Sequence, residues 1–172
     1  KLEDINFTKE FSSKYQAVKE AVLPFKRFPG SDTLLGPEMK STGEVMGLAE
    51  DFGTAYAKSE LAAGNGVPSE GVAFLSTNDL DKKNLDEIAR ELLILGFKLI
   101  ATKGTATYLI NLGVKVEEVL KVHEGRPNVE DLIRSGLIQL IINTPIGSQA
   151  LHDDAYLRRA AIEYSIPTFT TI

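Results

Sequence analysis

The stretch Phe97-Lys98-Leu99-Ile100-Ala101-Thr102-Lys103-Gly104-Thr105 decides the fold of this chain. Residues 97–101 are mostly apolar and predict a buried strand of the kind found in parallel sheets covered on both faces. Residues 102–105 are polar and include a glycine, so they predict a turn into a helix, placed at 105–111. A strand that leads directly into a helix is typical of a doubly wound α/β domain.

The same alternation of strand and helix extends in both directions from this stretch. Further strands are predicted at 72–75, 116–122, 137–142 and 166–170. Further helices are predicted at 85–93, at 128–133 behind the capping residue Asn128, and at 156–164. The 85–93 segment carries apolar residues at helical spacing on one face. We therefore expect an α/β fold with a doubly wound, mostly parallel five-stranded sheet and helices on both faces.

The first 63 residues have a different pattern. Residues 18–23 alternate in polarity, residues 40–46 form a candidate second strand, and Phe52, Ala55, Tyr56 and Ala63 share one helical face. A hairpin with one helix buries too little apolar surface to be stable alone. This part is expected to be the tail of a larger domain. The expected division is therefore a tail at 1–63, a linker at 64–71 and a sheet domain at 72–172.

Composition excludes several classes of function. The net charge of -5 and the pI near 5.1 argue against nucleic-acid binding, which needs a basic surface. The absence of cysteine excludes disulfides, thiolate zinc sites and cysteine nucleophiles, and two histidines are too few for a histidine-rich metal site. No membrane segment, Walker A motif or nucleophile elbow is visible, so we expect a cytoplasmic protein with no catalytic set and no metal site here.

Polar residues are concentrated where the predicted strands end, which is the edge where doubly wound sheets bind ligands. The candidates are Ser76, Lys82, Thr102, Gly104, Thr105, Lys121, Asn143 and Thr144. A helix start within 102–105 offers backbone N–H groups to an anion, and Gly104 permits close approach. Taken singly, the hydroxyls would be ordinary helix caps and the lysines ordinary solvated side chains. Their convergence predicts a site for a small molecule that bears a phosphate.

Two sets of motifs carry a resemblance to a known family. KEAVLPF at 19–25, FPG at 28–30 and LGPEMKSTGEVMG at 35–47 resemble the closing segment of the second ATP-grasp unit in carbamoyl-phosphate synthase large chains. ATKGTA at 101–106, KVHEGRP at 121–127 and IINT at 141–144 resemble the C-terminal domain of the same chains, which has the methylglyoxal-synthase-like fold. The resemblance covers nearly the whole sequence.

The resemblance implies an activity for the parent enzyme and none for this stretch alone. The family makes carbamoyl phosphate from bicarbonate, glutamine-derived ammonia and two ATP, with magnesium or manganese, and supplies pyrimidine and arginine biosynthesis. Its acidic metal ligands lie upstream, so no cofactor is expected here. The implied partners are the rest of the large chain and a glutamine amidotransferase small chain, with a homo-oligomer as a further possibility.

The resemblance also implies regulators, namely UMP, IMP and ornithine. The nucleotide phosphate would contact the candidates above other than Gly104, while Glu20 and Thr170 would contact ornithine. Three departures bear on this: Pro145 replaces a threonine of some relatives, Thr168 stands where an aromatic residue can occur, and the chain ends at Ile172, before the final helix expected of the domain.

Two other families that share this fold remain as alternatives. A methylglyoxal-synthase-type lyase acting on dihydroxyacetone phosphate needs an acid within a Gly-Gly-Asp loop, where this chain has Glu124-Gly125-Arg126-Pro127. The purine-synthesis cyclohydrolase has a similar Gly-Thr loop but nothing like the first 60 residues. Turnover of dihydroxyacetone phosphate would distinguish the lyase from a regulatory module.

Overall fold

The computed structural model describes residues 1–9, 13–22, 43–146 and 148–172. The loop expected at 25–37 lies outside these ranges, as do the FPG motif and most of the LGPEMKSTGEVMG motif before residue 43. The described residues form two compact units, one ending at Gly66 and the other beginning at Val67. The assignment of the first unit to an ATP-grasp tail stays a prediction.

The first unit is a two-stranded antiparallel sheet with one helix. A short 3-10 turn at Leu2–Ile5 precedes strand β1 (Gln16–Val22), which pairs with β2 (Gly43–Ala49), and helix α1 (Phe52–Ala63) follows. The carboxylate of Asp51 accepts a hydrogen bond from the backbone N–H of Thr54 at 2.8 Å and so caps α1. Gly64, with φ 88°, ends the helix in the left-handed conformation that favours glycine.

Helix α1 packs on one face of this small sheet through small side chains. Ala55 and Ser59 are buried, and a Cβ added to Gly47 would lie 1.9 Å from the carbonyl oxygen of Ala55. Phe52, grouped with Ala55 in the sequence, is exposed and stacks on Tyr56 instead. Because α1 and β2 approach each other so closely at Gly47, there is no room between them for an aromatic ring. The helix therefore faces the strands with its small residues.

The second unit is the predicted parallel sheet. Its strands are β3 (Val72–Thr77), β4 (Lys98–Thr102), β5 (Glu117–Val119), β6 (Leu140–Thr144) and β7 (Thr168–Phe169). Its helices are α2 (Lys82–Ile94), α3 (Lys103–Asn111), α4 (Val129–Arg134) and α5 (Ser148–Tyr164). The strands are all parallel and lie in the order β5-β4-β3-β6-β7. The α/β prediction is therefore confirmed.

Several strand limits differ from the sequence predictions. Strand β6 begins at Leu140 instead of 137, because Gly136 (φ 68°) closes α4 and Leu137 is exposed in the turn. The same strand continues to Thr144, two residues beyond the predicted end. Strands β5 and β7 are shorter than predicted; Lys121 already lies in the turn that follows β5.

Two apolar clusters cover the two faces of the sheet, and β3 contributes to both. Leu75 packs with α2 and α3 residues such as Leu85 and Leu109, whereas Phe74 packs with Ile133 of α4 and Leu157 of α5. Successive side chains of a strand point to opposite faces. Neighbouring residues at the end of a central strand therefore lie on opposite faces of the sheet, and the face of each must be determined separately.

The predicted capping box of α4 is confirmed. Asn128 Oδ1 accepts from the N–H groups of Glu130 and Asp131 at 3.0 and 3.3 Å, and Asp131 Oδ2 accepts from the Asn128 N–H at 3.0 Å. The Asn128 amide also donates to the carbonyl of Gly125 at 2.8 Å. One buried side chain thus caps the helix and fixes the end of the loop that begins at Lys121.

Candidate functional site

The N-terminus of α3 is open to an anion at the carboxyl edge of the sheet. Thr102 is both the last residue of β4 and the N-cap of α3, yet its side chain makes no capping hydrogen bond. Its hydroxyl instead donates to Ser76 Oγ at 3.3 Å. The first N–H groups of a helix have no partner within the helix and carry a partial positive charge. Without a side-chain cap, they are available to a phosphate.

Lys82 brings a cation to the same point. A Cβ added to Gly104 would lie 3.7 Å from Lys82 Nζ, so the ammonium group lies beside the α3 N-terminus. The Lys82 side chain is only 17% exposed, and Nζ pairs at 2.6 Å with Asp79, whose side chain is 91% exposed. This bond lowers the pKa of the Asp79 carboxyl. An exposed carboxylate is a weak partner that a phosphate can replace. We call Lys82, Gly104 and the α3 N-terminus the α3 cradle.

Thr105 and Thr144 are occupied by structural hydrogen bonds. Thr105 Oγ1 accepts from the Thr77 N–H at 3.1 Å and donates to the Thr77 carbonyl at 3.4 Å. Thr144 Oγ1 accepts from the backbone N–H of Asn78 at 3.2 Å and from its side-chain amide at 2.9 Å. Both hydroxyls are buried and hold the end of β3 and the turn after it. The two hydroxyls therefore hold in place the turn after β3, which is next to the α3 cradle.

The other candidates line a cleft on the opposite face of the sheet. This cleft is open to solvent and is lined by Phe74, Ser76, Thr102, Lys121, Val122, Val129, Asn143, Pro145, Asp154 and Leu157. Ser76 and Asn143 follow Phe74 and Ile141 at two-residue spacing and so share their face. We call this the Asn143 cleft. Strand alternation thus divides the predicted residues between two neighbouring clusters, with Thr102 at their junction.

An acid that the sequence reading did not select lies in the Asn143 cleft. Asp154 lies inside α5 and is 1% exposed. Its Oδ1 accepts from Asn143 Nδ2 at 2.7 Å, and its Oδ2 accepts from Nε and Nη2 of Arg158. The sequence did contain a signal for this ion pair. Asp154 and Arg158 are four residues apart, and residues at that spacing meet on one face of a helix.

Glu20 lies in the first unit beside a second acid. Glu60 of α1 is buried, and Ser59 Oγ donates to Glu20 Oε2 at 3.3 Å. Burial raises the pKa of Glu20, and the negative charge of Glu60 raises it further. Thr170, the other residue expected near ornithine, is exposed and lies just after β7 in the second unit. The pairing of Glu20 with Thr170 stays a prediction.

The Glu20–Glu60 pair predicts a pH dependence for the first unit. A raised pKa means that the folded state binds a proton more tightly, so this stabilisation is present at acidic pH and is lost as pH rises through the folded pKa. Glu60→Gln should remove the repulsion and make the unit more stable at neutral pH. Hydrogen exchange of segment 43–63 between pH 4 and pH 8 measures this, with the exposed Glu50→Gln as control. If protection against exchange changes with pH equally in Glu60→Gln and Glu50→Gln, this prediction is wrong.

Membrane and metal features are absent from the described ranges. No helix there is both long and apolar enough to cross a membrane. No group of three or more acidic or histidine side chains is placed there to hold a metal ion.

Comparison with known proteins identifies the domain. A family model described as MGS-like domain matches residues 84–170. The chain is 54% identical over 171 residues to a carbamoyl phosphate synthase large chain of Nostoc, covering 99% of this chain and 16% of the relative. It is 54% identical to the Synechocystis large chain, again over 99% and 16%. It is 49% identical to a chloroplastic arginine-specific large chain of rice, over 99% and 15%.

The chain therefore spans about a sixth of the length of these relatives, with 16% of the Nostoc protein covered. A crystal structure of ForH aligns with 57% of this chain and 73% of its own at a TM-score of 0.38 and 20% identity, too low to support a structural argument. The match to the large chains confirms the resemblance seen in the motifs. From the family match and the parallel sheet, we conclude that the chain belongs to the MGS-like domain family.

Proposed function

We propose that this chain is the effector-binding part of a glutamine-dependent carbamoyl phosphate synthase large chain, and that it regulates catalysis instead of performing it. The parent enzyme would make carbamoyl phosphate from bicarbonate, glutamine-derived ammonia and two ATP, using magnesium or manganese bound elsewhere. It would serve pyrimidine and arginine biosynthesis in the cytoplasm or, as in the rice relative, in a chloroplast. The proposed partners are the rest of the large chain and the amidotransferase small chain.

One observation carries this proposal: Lys82 Nζ lies beside the uncapped N-terminus of α3. A helix N-terminus contributes about 0.3–1 kcal/mol to anion binding, or up to about 2 when partly buried. A charge-assisted hydrogen bond adds roughly 1.5–3 kcal/mol. The adjoining Asn143 cleft offers apolar walls and hydrogen-bonding groups for the rest of a nucleotide. UMP and IMP fit this combination, with the phosphate in the α3 cradle.

The first unit supports a second effector. Glu20 and Glu60 together form an acidic pair, and an ammonium group placed between them would relieve the repulsion that raises the pKa of Glu20. An ornithine-type amine is the proposed ligand of this pair. The exposed Met46 and Leu48 lie on the sheet face away from Glu20, and this face is the proposed contact with upstream parts of the large chain.

A lyase activity finds partial support in the buried acid of the cleft. Asp154 is a carboxylate next to a candidate phosphate site, as a proton-abstracting base would be. However, both of its oxygens are already bound, one by Asn143 and the other by Arg158. The acid that follows β5, Glu124, accepts the Lys121 N–H at 2.8 Å and so serves its own loop. Neither acid is poised to act on dihydroxyacetone phosphate.

Lys82→Gln is the direct test of the nucleotide site. Loss of the ammonium should weaken UMP or IMP binding roughly 10- to 100-fold, the equivalent of about 1.4–2.8 kcal/mol. Binding of uridine or inosine, which lack the phosphate, should change little. Isothermal titration at fixed ionic strength measures both constants.

The matched control is Lys83→Gln, the next residue of α2, whose side chain is exposed. It makes the same change in net charge without touching the cradle. Equal nucleotide constants for wild type and both variants would place the nucleotide elsewhere. Release of phosphate from dihydroxyacetone phosphate would instead support the lyase.

A further inference from the structure

The segment that follows α1 contains the one asparagine–glycine pair of the sequence, Asn65-Gly66. The pair comes after Gly64, which ends α1, and both of its residues are exposed and lie outside any helix or strand. Within the described ranges, neither the Asn65 side chain nor the Gly66 N–H makes a hydrogen bond. The side-chain amide and the neighbouring backbone nitrogen are therefore both free to react.

An asparagine that precedes glycine can lose its amide without an enzyme. The deprotonated backbone nitrogen of the glycine attacks Cγ of the asparagine, a new C–N bond closes a succinimide ring, and the Cγ–Nδ2 bond breaks to release ammonia. Water then opens the ring at either carbonyl and gives aspartate or isoaspartate, whose backbone runs through the former side chain. Glycine favours ring closure because it has no Cβ beside the attacking nitrogen and adopts many backbone conformations.

The other asparagines of the second unit lack this combination. Their side-chain amides donate hydrogen bonds, as Asn143 Nδ2 does to Asp154 at 2.7 Å, or they lie within helices, as Asn84 and Asn111 do. Each of them is followed by a residue that has a side chain, which hinders ring closure. Asn65 therefore differs from them in its freedom and in its neighbour.

The reaction at Asn65 would place a negative charge at the C-terminal end of α1. The backbone N–H of Asn65 donates to the carbonyl of Glu60 at 2.9 Å and so forms part of the cap of this helix. The C-terminal end of a helix carries a partial negative charge, and residues 60–63 include no basic side chain. A carboxylate at residue 65 would be repelled there, and isoaspartate would also lengthen the backbone that forms the cap.

We propose that Asn65 is a site of spontaneous deamidation through attack by the backbone nitrogen of Gly66, and that this modification loosens the end of α1. The product is a mixture of isoaspartate and aspartate, ammonia leaves, and water is the co-reactant. The first unit thus carries a chemical change that accumulates with time after synthesis. The inference goes beyond the proposed effector sites, since neither residue belongs to them.

Peptide mapping of the full chain after incubation at pH 8 and at pH 5 tests the site. The peptide that contains Asn65 should convert to isoaspartate and aspartate at pH 8, and much more slowly at pH 5, because the attacking nitrogen must lose its proton. Peptides that contain Asn84 and Asn111 should keep their amides over the same period. An Asn65 amide that lasts as long as theirs would overturn the proposal. Conversion to aspartate without isoaspartate would overturn the attack by Gly66.

Gly66→Ala is the matched variant. The nearest atom to a Cβ added at residue 66 is Leu61 Cδ1 at 3.8 Å, an ordinary van der Waals contact, so this variant should fold as the wild type does. Its Asn65 amide should be lost at least several-fold more slowly than in the wild type. An equal rate in the two proteins would contradict the proposed role of the glycine.

Hydrogen exchange of segment 52–63 measures the effect on α1, with the second unit as internal reference. Exchange in aged wild type and in fresh Asn65→Asp should be roughly two- to fivefold faster than in fresh wild type, as expected for a charge opposed to the helix dipole. Aged Gly66→Ala should keep its protection. Equal protection in fresh and aged wild type, once mapping has shown deamidation, would overturn the loosening of α1.

Discussion

Replacing Gly47 with alanine is expected to unfold the first unit. The added Cβ would lie 1.9 Å from the carbonyl oxygen of Ala55 and 2.7 Å from the backbone nitrogen of Ser59. Both obstructing atoms belong to the backbone of α1, so no side-chain rotation relieves the clash. Overpacking a core typically costs about 1–3 kcal/mol. Because α1 must here separate from β2, we expect the free energy of unfolding of the first unit to fall by at least about 3 kcal/mol. A unit of two strands and one helix is too small to remain folded after such a loss.

Hydrogen exchange of segments 16–22 and 43–63 gives the local measurement, since the second unit provides an internal reference. The control is Gly53→Ala in the first turn of α1, where the nearest atom to an added Cβ is Asp51 Oδ1 at 3.5 Å. Alanine is favoured over glycine in a helix by roughly 0.5–1 kcal/mol, so this variant should slow exchange. Unchanged protection in Gly47→Ala would show that α1 is not held against β2 as described.

Replacing Phe74 with alanine should have the largest effect on the second unit. Phe74 is fully buried on the central strand and packs against both α4 and α5 residues. Removal of a buried aromatic ring to alanine costs about 3–5 kcal/mol, from lost burial and from the cavity left behind. Since Phe74 also lines the Asn143 cleft, the variant should bind nucleotides more weakly as well.

Thermal and denaturant unfolding of the second unit measure this loss. Ile94→Ala provides the comparison, because Ile94 is 84% exposed at the end of α2 and its truncation should change the free energy of unfolding by less than about 0.5 kcal/mol. A similar small change in Phe74→Ala would mean that this face of the sheet is not a packed core.

The elements of the second unit could be predicted because local and global signals agree there. Strand β4 is a short apolar run, α2 carries its apolar residues on one face, and Asn128 with Asp131 forms the capping box that their spacing indicates. The edge of the sheet that carries the candidate site follows from topology alone. These features depend on residues close together in the chain.

The arrangement within the site could not be predicted, because it depends on where the strands end. The predicted strand ended at residue 142, so Asn143 and Thr144 lay just beyond it with no assigned face. The strand continues to Thr144, so pleating places Asn143 toward Asp154 and Thr144 toward Asn78. A difference of two residues in one strand thus separates one expected pocket into the Asn143 cleft and the α3 cradle.

Tertiary packing also determined which acids became buried. Glu60 and Asp154 are charged residues on helices, and most such residues face water. Glu60 is buried because the small residues around Gly47 bring α1 close to the strands. Asp154 is buried because Asn143 and Arg158 supply its hydrogen bonds. Neither circumstance is visible within a short window of sequence.

The central position of β3 also determines when the domain can assemble during protein synthesis. This strand is made first among those of the sheet, yet it pairs on one side with β4 and on the other with β6, with Ala73 opposite Leu140. A ribosome must therefore complete residues 140–144 before the second edge of β3 is covered. Until then that edge presents unpaired backbone groups, which are templates for association with other chains. The nascent domain is accordingly most exposed to aggregation just before β6 emerges.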